Sequence, residues 1–110
     1  MSKELERSLY RFAKEVHENA IVKGWWEKPQ GTAESIALMH SELSEALEAD
    51  RAGNPPDDKI PEFSGVEAEL ADCIIRILDF SNGLSYDVIG AMIAKAEFNK
   101  TREYKHGKQY

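Results

Sequence analysis

At 110 residues the chain has the length of one domain, and its 42% hydrophobic content supports one modest core. A net charge of -6 argues against general nucleic-acid binding, which needs a basic surface, and no apolar run approaches the ~20 residues of a membrane span. The first residues, Met1 to Arg7, lack the apolar stretch of a signal peptide, so a cytoplasmic protein is the expectation. The single cysteine, Cys73, lies among Ile74, Ile75 and Ile77 and reads as a buried apolar side chain.

Hydrophobic spacing predicts four helices in one domain, 1–110, with a basic C-terminal tail over about 103–110. The first helix is expected from Lys3 to Val22, with Leu5, Leu9, Phe12 and Val16 as its core stripe and Gly24 at its end. A loop follows that carries Trp25 and Trp26. Indoles in such a loop either close the end of a core or stack on a flat ring such as a nucleobase. His17 could reach a base edge, although a partly buried structural histidine is the more ordinary role.

The second helix is expected to start at Thr32 or Ala33 and to end before Gly53, with a stripe of Ile36, Met39, Leu43, Ala46 and Leu47. Residues 57–63 read as loop. Ser64-x-x-Glu67 is a capping-box pattern opening a third helix that runs to Ser81 or Asn82. Val66, Leu70, Cys73, Ile74, Ile77 and Leu78 fill one broad face of it, while Ala68 and Ile75 fall on the far side, so it should be central or buried again against a second copy. Ser85 is the expected cap of a fourth helix, from Tyr86 to about Arg102. No useful length alternates with a strand's period of two. The fold class is all-α, most simply a four-helix bundle, in a homodimer or homotetramer.

Two acidic pairs share one spacing: Glu42-x-x-Glu45 in the second helix and Glu69-x-x-Asp72 in the third. Residues three apart share a helix face, so each pair sets two carboxylates side by side. With 20 Asp+Glu in the chain, ~3 to 4 such pairs arise by chance, so spacing alone decides nothing. Position decides more. Both pairs flank the core stripes, and packing the two helices together would bring four carboxylates to one groove. Such a group needs a counter-cation, and oxygen-only ligands suit Mg2+ or Mn2+. The simpler alternative is two charged helix edges, with Arg76 pairing Asp72 at i+4.

Charge is uneven along the chain. From Lys95 to Tyr110 five Lys+Arg stand against two acids, in an otherwise acidic protein. Lys95, Asn99 and Arg102 fall on one helix face, and Lys105, His106 and Lys108 follow. Carboxylates that hold a metal ion and cations that face them would together hold a metal-bound polyphosphate. Taken singly, Lys100 or Arg102 reads as a basic last turn satisfying the helix dipole.

The stretches Lys23-Gly-Trp-Trp-Glu, Leu38-Met-His-Ser-Glu-Leu-Ser-Glu-Ala-Leu-Glu, Glu69-Leu-Ala-Asp-Cys-Ile-Ile-Arg and Asn99-Lys-Thr-Arg-Glu-Tyr-Lys-His-Gly-Lys resemble, in order, the MazG-like nucleoside triphosphate pyrophosphohydrolases. These belong to an all-α superfamily that includes dimeric dUTPases. The resemblance implies Mg2+-dependent cleavage of a nucleoside triphosphate substrate to monophosphate and pyrophosphate by an oligomer of the chain. It implies that Glu42, Glu45, Glu69 and Asp72 hold metal and that Glu42 or Glu45 activates the water. Lys95, Asn99, Arg102 and Lys105 would bind phosphate, and Trp25, Trp26 and His17 would meet the base. The chain departs from the family at Glu103, where proline is common, and Glu48 is a further acid near the first pair. Two other classes compete. A di-iron carboxylate bundle would want Glu-x-x-His on two helices, and this chain has that spacing only at Glu103/His106. A non-enzymatic helical adaptor would use its acidic face only as solvated surface.

Overall fold

A computed structural model describes residues 1–107, with side chains through Lys105; Lys108 lies outside them. Four α-helices account for most of the chain: α1, Lys3–Val22; α2, Thr32–Arg51; α3, Gly65–Gly83; α4, Val88–Lys100. A short 3-10 turn, Tyr104–Gly107, follows, and the described residues include no strand. The protein is an all-α four-helix bundle.

Local chemistry sets the helix ends. Ser2 caps α1 by accepting from the Leu5 amide at 3.1 Å, and Glu4 and Glu6 complement the dipole in the first turn. Ser64 and Glu67 form the full capping box of α3, each side chain accepting from the other's amide. Three helices stop in the same way. At the end of α1, Gly24 takes φ +90°, its amide reaches the Ile21 carbonyl, and the Trp25 amide reaches the Ala20 carbonyl. The end of α2 repeats this at Gly53 and Asn54, and the end of α3 at Ser85 and Tyr86.

That last ending corrects the expected start of α4. Ser85 is spent in the left-handed position (φ 61°) that closes α3, so Asp87 is the cap. Asp87 Oδ1 accepts from the Gly90 amide and from the Tyr10 hydroxyl, both at 2.9 Å, which ties the start of α4 to α1. The helix therefore begins at Val88, and it ends at Lys100, two residues before the expected Arg102.

α3 is central, antiparallel to both α1 and α2. Against α1 it contributes Leu78 to a buried cluster with Ala13 and Ile89, flanked by Leu9, Val16, Val88 and Ile93. α2 buries Ser35, Glu42 and Ala46, and the first half of α3 buries the small residues Gly65, Ala68 and Cys73. A Cβ on Gly65 would stand 2.9 Å from that of Ala49, so the two backbones run close. Cys73 is buried, as expected, and its thiol points at the Met39 carbonyl, 3.6 Å away.

Several residues of the expected core stripes are half exposed: Leu5 and Phe12 on α1, Ile36, Leu43 and Leu47 on α2, Leu70 and Ile74 on α3. Ala68, expected on the far side of α3, is buried instead. The chain exposes 8588 Å², whereas a compact 12.4 kDa monomer exposes about 6,100 Å². Its radius of gyration is 16.4 Å, against about 13 Å for a close-packed chain of this length. The open packing leaves apolar faces of α2, α3 and α4 uncovered.

Candidate metal centre and adjoining cavity

The close, antiparallel contact of α2 and α3 brings the two acidic pairs to one groove. Glu42, Glu69 and Asp72 each offer an oxygen, and these oxygens all lie within 4.8 Å of one another. Glu42 is buried, Glu69 half-buried and Asp72 exposed. Glu45, the fourth expected ligand, is exposed and falls outside this group of three, but its carboxylate is close enough to those of Glu42 and Glu69 to act on both.

The electrostatics are those of crowded like charges. Burial, then the neighbouring Glu42 and Glu45, push the Glu69 carboxyl up to about 7. Desolvation and the Glu42 charge likewise raise Asp72, against a lowering pull from Arg76. Burial also pushes Glu42 up, but the Arg76 guanidinium and hydrogen bonding with Glu69 and Glu45 outweigh it and hold Glu42 below the usual carboxylate range. Arg76 Nε donates to Glu42 Oε1 at 2.8 Å. The i+4 pairing of Arg76 with Asp72 anticipated from the sequence thus gives way to a bond between helices. Oε2 of Glu69 is buried with no hydrogen-bond partner among the described residues. Its neighbours are acceptors too, so only a retained proton or a cation satisfies it.

Beside the carboxylates opens a cavity of about 570 Å³, walled by α1, the Trp loop, α2 and α3. Its lining includes the acidic Glu42, Asp72 and Asp79, the cation Arg76, the Asn19 amide and the aromatic Trp25 and Phe80. Trp25 is largely exposed, and Gln30 Nε2 holds its carbonyl at 2.8 Å. Trp26 turns inward: its indole lies over Gly83, where any side chain would collide with the ring. Trp26 Nε1 donates to Asp79 Oδ1 at 2.9 Å, and His17 Nδ1 meets the same oxygen at 2.8 Å. The His17 and Trp26 rings stand edge to face, 5.0 Å apart. Of the three expected base contacts, Trp25 lines the cavity, whereas His17 and Trp26 form its backing.

Asp79 is the residue that sequence reasoning left out of the site. Its signal was present: Asp72, Arg76 and Asp79 fall at i, i+4 and i+7, a single face of α3. Lys28, which also lines the cavity, carried no sequence signal.

The expected phosphate contacts lie elsewhere in the chain. α4 joins the bundle through Val88, Ile89 and Ile93, near its start, and contributes nothing to the cavity wall. Lys95 and Asn99 are exposed; Arg102 lies over the Phe98 ring at 5.7 Å, and Lys105 over the Tyr104 ring at 5.6 Å. No described helix is long and apolar enough to cross a membrane. Comparison of the chain with protein-family models, curated proteins and solved structures gives no match.

Proposed function

We propose that the protein is a divalent-metal-dependent nucleoside triphosphate pyrophosphohydrolase. The observation that carries this reading is the buried, unpartnered oxygen of Glu69 within a group of three converging carboxylates beside a nucleotide-sized cavity. The all-oxygen donor set fits Mg2+ or Mn2+, with Glu42, Glu69 and Asp72 as the residues that would hold it. Bound there, such an ion would polarise phosphate oxygens and offset the negative charge of a triphosphate.

The chain's own residues divide the remaining work. Glu42 is committed to Arg76 and faces inward, so it serves as a ligand. Glu45 is exposed and outside the converging three, which leaves it to take the proton from an attacking water. The water oxygen bonds to the α-phosphorus, the bond from that phosphorus to the bridging oxygen breaks, and pyrophosphate leaves with the bonding electrons. Arg76 and Lys28 are the cations on the cavity wall. Lys95, Asn99, Arg102 and Lys105 do not reach the cavity in their own protomer, so their phosphate-binding role belongs to a neighbouring copy.

The excess exposed surface supports that assembly. A specific interface hides about 800 Å² per partner, and the excess here is larger. The half-exposed Leu43, Leu47, Leu70 and Ile74 are the apolar residues a second copy would cover. Ile74→Asp is expected to shift the native mass toward monomer in light scattering; an unchanged mass removes this part of the reading.

A screen for pyrophosphate release from the common NTPs and dNTPs, with Mg2+ and with Mn2+, tests the activity. Turnover should vanish in Glu45→Ala and Asp72→Ala while the helical fold persists. If the wild-type protein cleaves none above the Glu45→Ala background, the hydrolase reading falls. A second reading has its own support: the elevated Glu69 carboxyl lets a shared proton, rather than a metal ion, quiet the cluster. Under it, calorimetric titration with Mn2+ gives no binding heat.

A further inference from the structure

Resting on the nucleotide reading above, the geometry points to Asp79 as the residue that selects the base. We propose that it admits bases presenting one amino group beside a ring-nitrogen acceptor, the cytosine and adenine type, over uracil, thymine and guanine.

Position comes first. Asp72 and Asp79 line the same cavity from the same face of α3, seven residues apart, which is about 10 Å along the axis. A triphosphate held at Asp72 would therefore extend its sugar past Arg76 and its base toward Asp79. The walls of this cavity suit a flat ring: Trp25 and Phe80 supply aromatic surface, and the Asn19 amide supplies a donor and an acceptor.

The number of free acceptors comes second. Asp79 Oδ1 is engaged twice, by His17 Nδ1 and Trp26 Nε1. Neither of those residues lines the cavity, whereas Asp79 does. Two donors on one oxygen fix the carboxylate plane. Oδ2 has no partner among the described residues, which leaves Asp79 one acceptor to offer.

A single anionic acceptor discriminates among base edges. The amino group of cytosine or adenine donates to it directly, and the adjacent ring nitrogen can accept from Asn19. Uracil and thymine present their N–H between two carbonyl oxygens, which a carboxylate repels. Guanine presents a two-donor fork that calls for both carboxylate oxygens, and one is already taken.

The test compares pyrophosphate release from CTP, ATP, UTP and GTP, with 2-pyrimidinone riboside triphosphate as a cytosine lacking only its amino group. The wild-type protein should favour CTP or ATP over UTP, GTP and the amino-less analogue by about 10- to 100-fold in kcat/KM, the worth of one charge-assisted hydrogen bond. The analogue deletes the contact from the ligand side, so the result does not depend on a variant folding. Asp79→Asn, checked by circular dichroism, should collapse the ratio of CTP to UTP, chiefly through KM. Cleavage with no base preference, or a preference that survives Asp79→Asn, overturns the proposal and leaves the hydrolase reading intact. Quenching of tryptophan fluorescence by CMP, AMP and UMP without metal separates the two further. Preferential quenching by CMP or AMP supports the base pocket even if nothing is cleaved, and neither quenching nor cleavage removes both.

Discussion

The groove between α2 and α3 and the outer half of α4 handle charge in opposite ways. In the groove, small residues let two helices run close, and carboxylates are held against one another with one oxygen left unsatisfied. At the end of α4 and just beyond it the charged residues are exposed and meet near neighbours, Lys100 pairing with Glu97 at 3.0 Å and Arg102 lying over the Phe98 ring. Local pairs on a surface cost little to keep and contribute little. A crowded acidic group opposes folding, so its presence calls for a role that outweighs the repulsion.

Substitutions can break this contrast. Asp72→Asn and Glu69→Gln remove one charge each from the group of three. Both are expected to weaken Mn2+ binding by more than the ~100-fold that outer-shell changes produce, as read by calorimetric titration. Glu45→Gln should lower kcat by about 10² to 10⁴ while leaving that titration nearly unchanged, the signature of a proton acceptor rather than a ligand. A shared loss of metal binding would instead place Glu45 among the ligands.

The wall of the cavity gives a smaller effect. Gly83→Ala pushes the Trp26 ring off the end of α3, which should destabilise the fold by about 1–3 kcal/mol in denaturant titrations and shift the tryptophan emission.

The groove also predicts a pH slope. Glu69 is raised to about 7 from an ordinary value of 4.5, so the folded protein binds a proton there more tightly than the unfolded chain does. That stabilisation is complete below about pH 4.5 and is lost as the pH rises through 7. Asp72 is shifted in the same direction, and Glu42, shifted down, opposes them. Metal-free protein should therefore melt at lower temperature as pH climbs from 4.5 to 7, and Glu69→Gln should flatten the slope. At the far end of the scale, Lys14→Ala breaks only the exposed 3.8 Å pair with Glu18 and should change stability by less than ~0.5 kcal/mol.

Much of this was legible in the residues. The capping box of α3 and the glycine stops after α1 and α2 follow from spacing and local chemistry, and the meeting of Glu42, Glu69 and Asp72 follows from their place beside the apolar stripes of two helices that pack together. Ser85 misled because serine serves both as a helix cap and, here, as a left-handed stop, and only the end of α3 decides which. The core stripes overstated burial because periodicity finds an apolar face without saying what covers it; Leu47 and Ile74 are apolar at the right spacing and half exposed. Asp79 shares the Asp72 and Arg76 face in the sequence, but its partners, His17 and Trp26, are distant along the chain and meet it only across the fold. The expected face of Lys95, Asn99 and Arg102 needs the helix to continue, but α4 ends at Lys100, and spacing along one helix carries no information about what its faces meet.

The unburied area has a thermodynamic corollary. If copies of the chain complete one another's cores, folding and association are a single equilibrium, and melting depends on mass action. Diluting the protein a hundredfold should then lower its midpoint of thermal unfolding, whereas a self-sufficient fold would melt at the same temperature in the dilute and the concentrated sample.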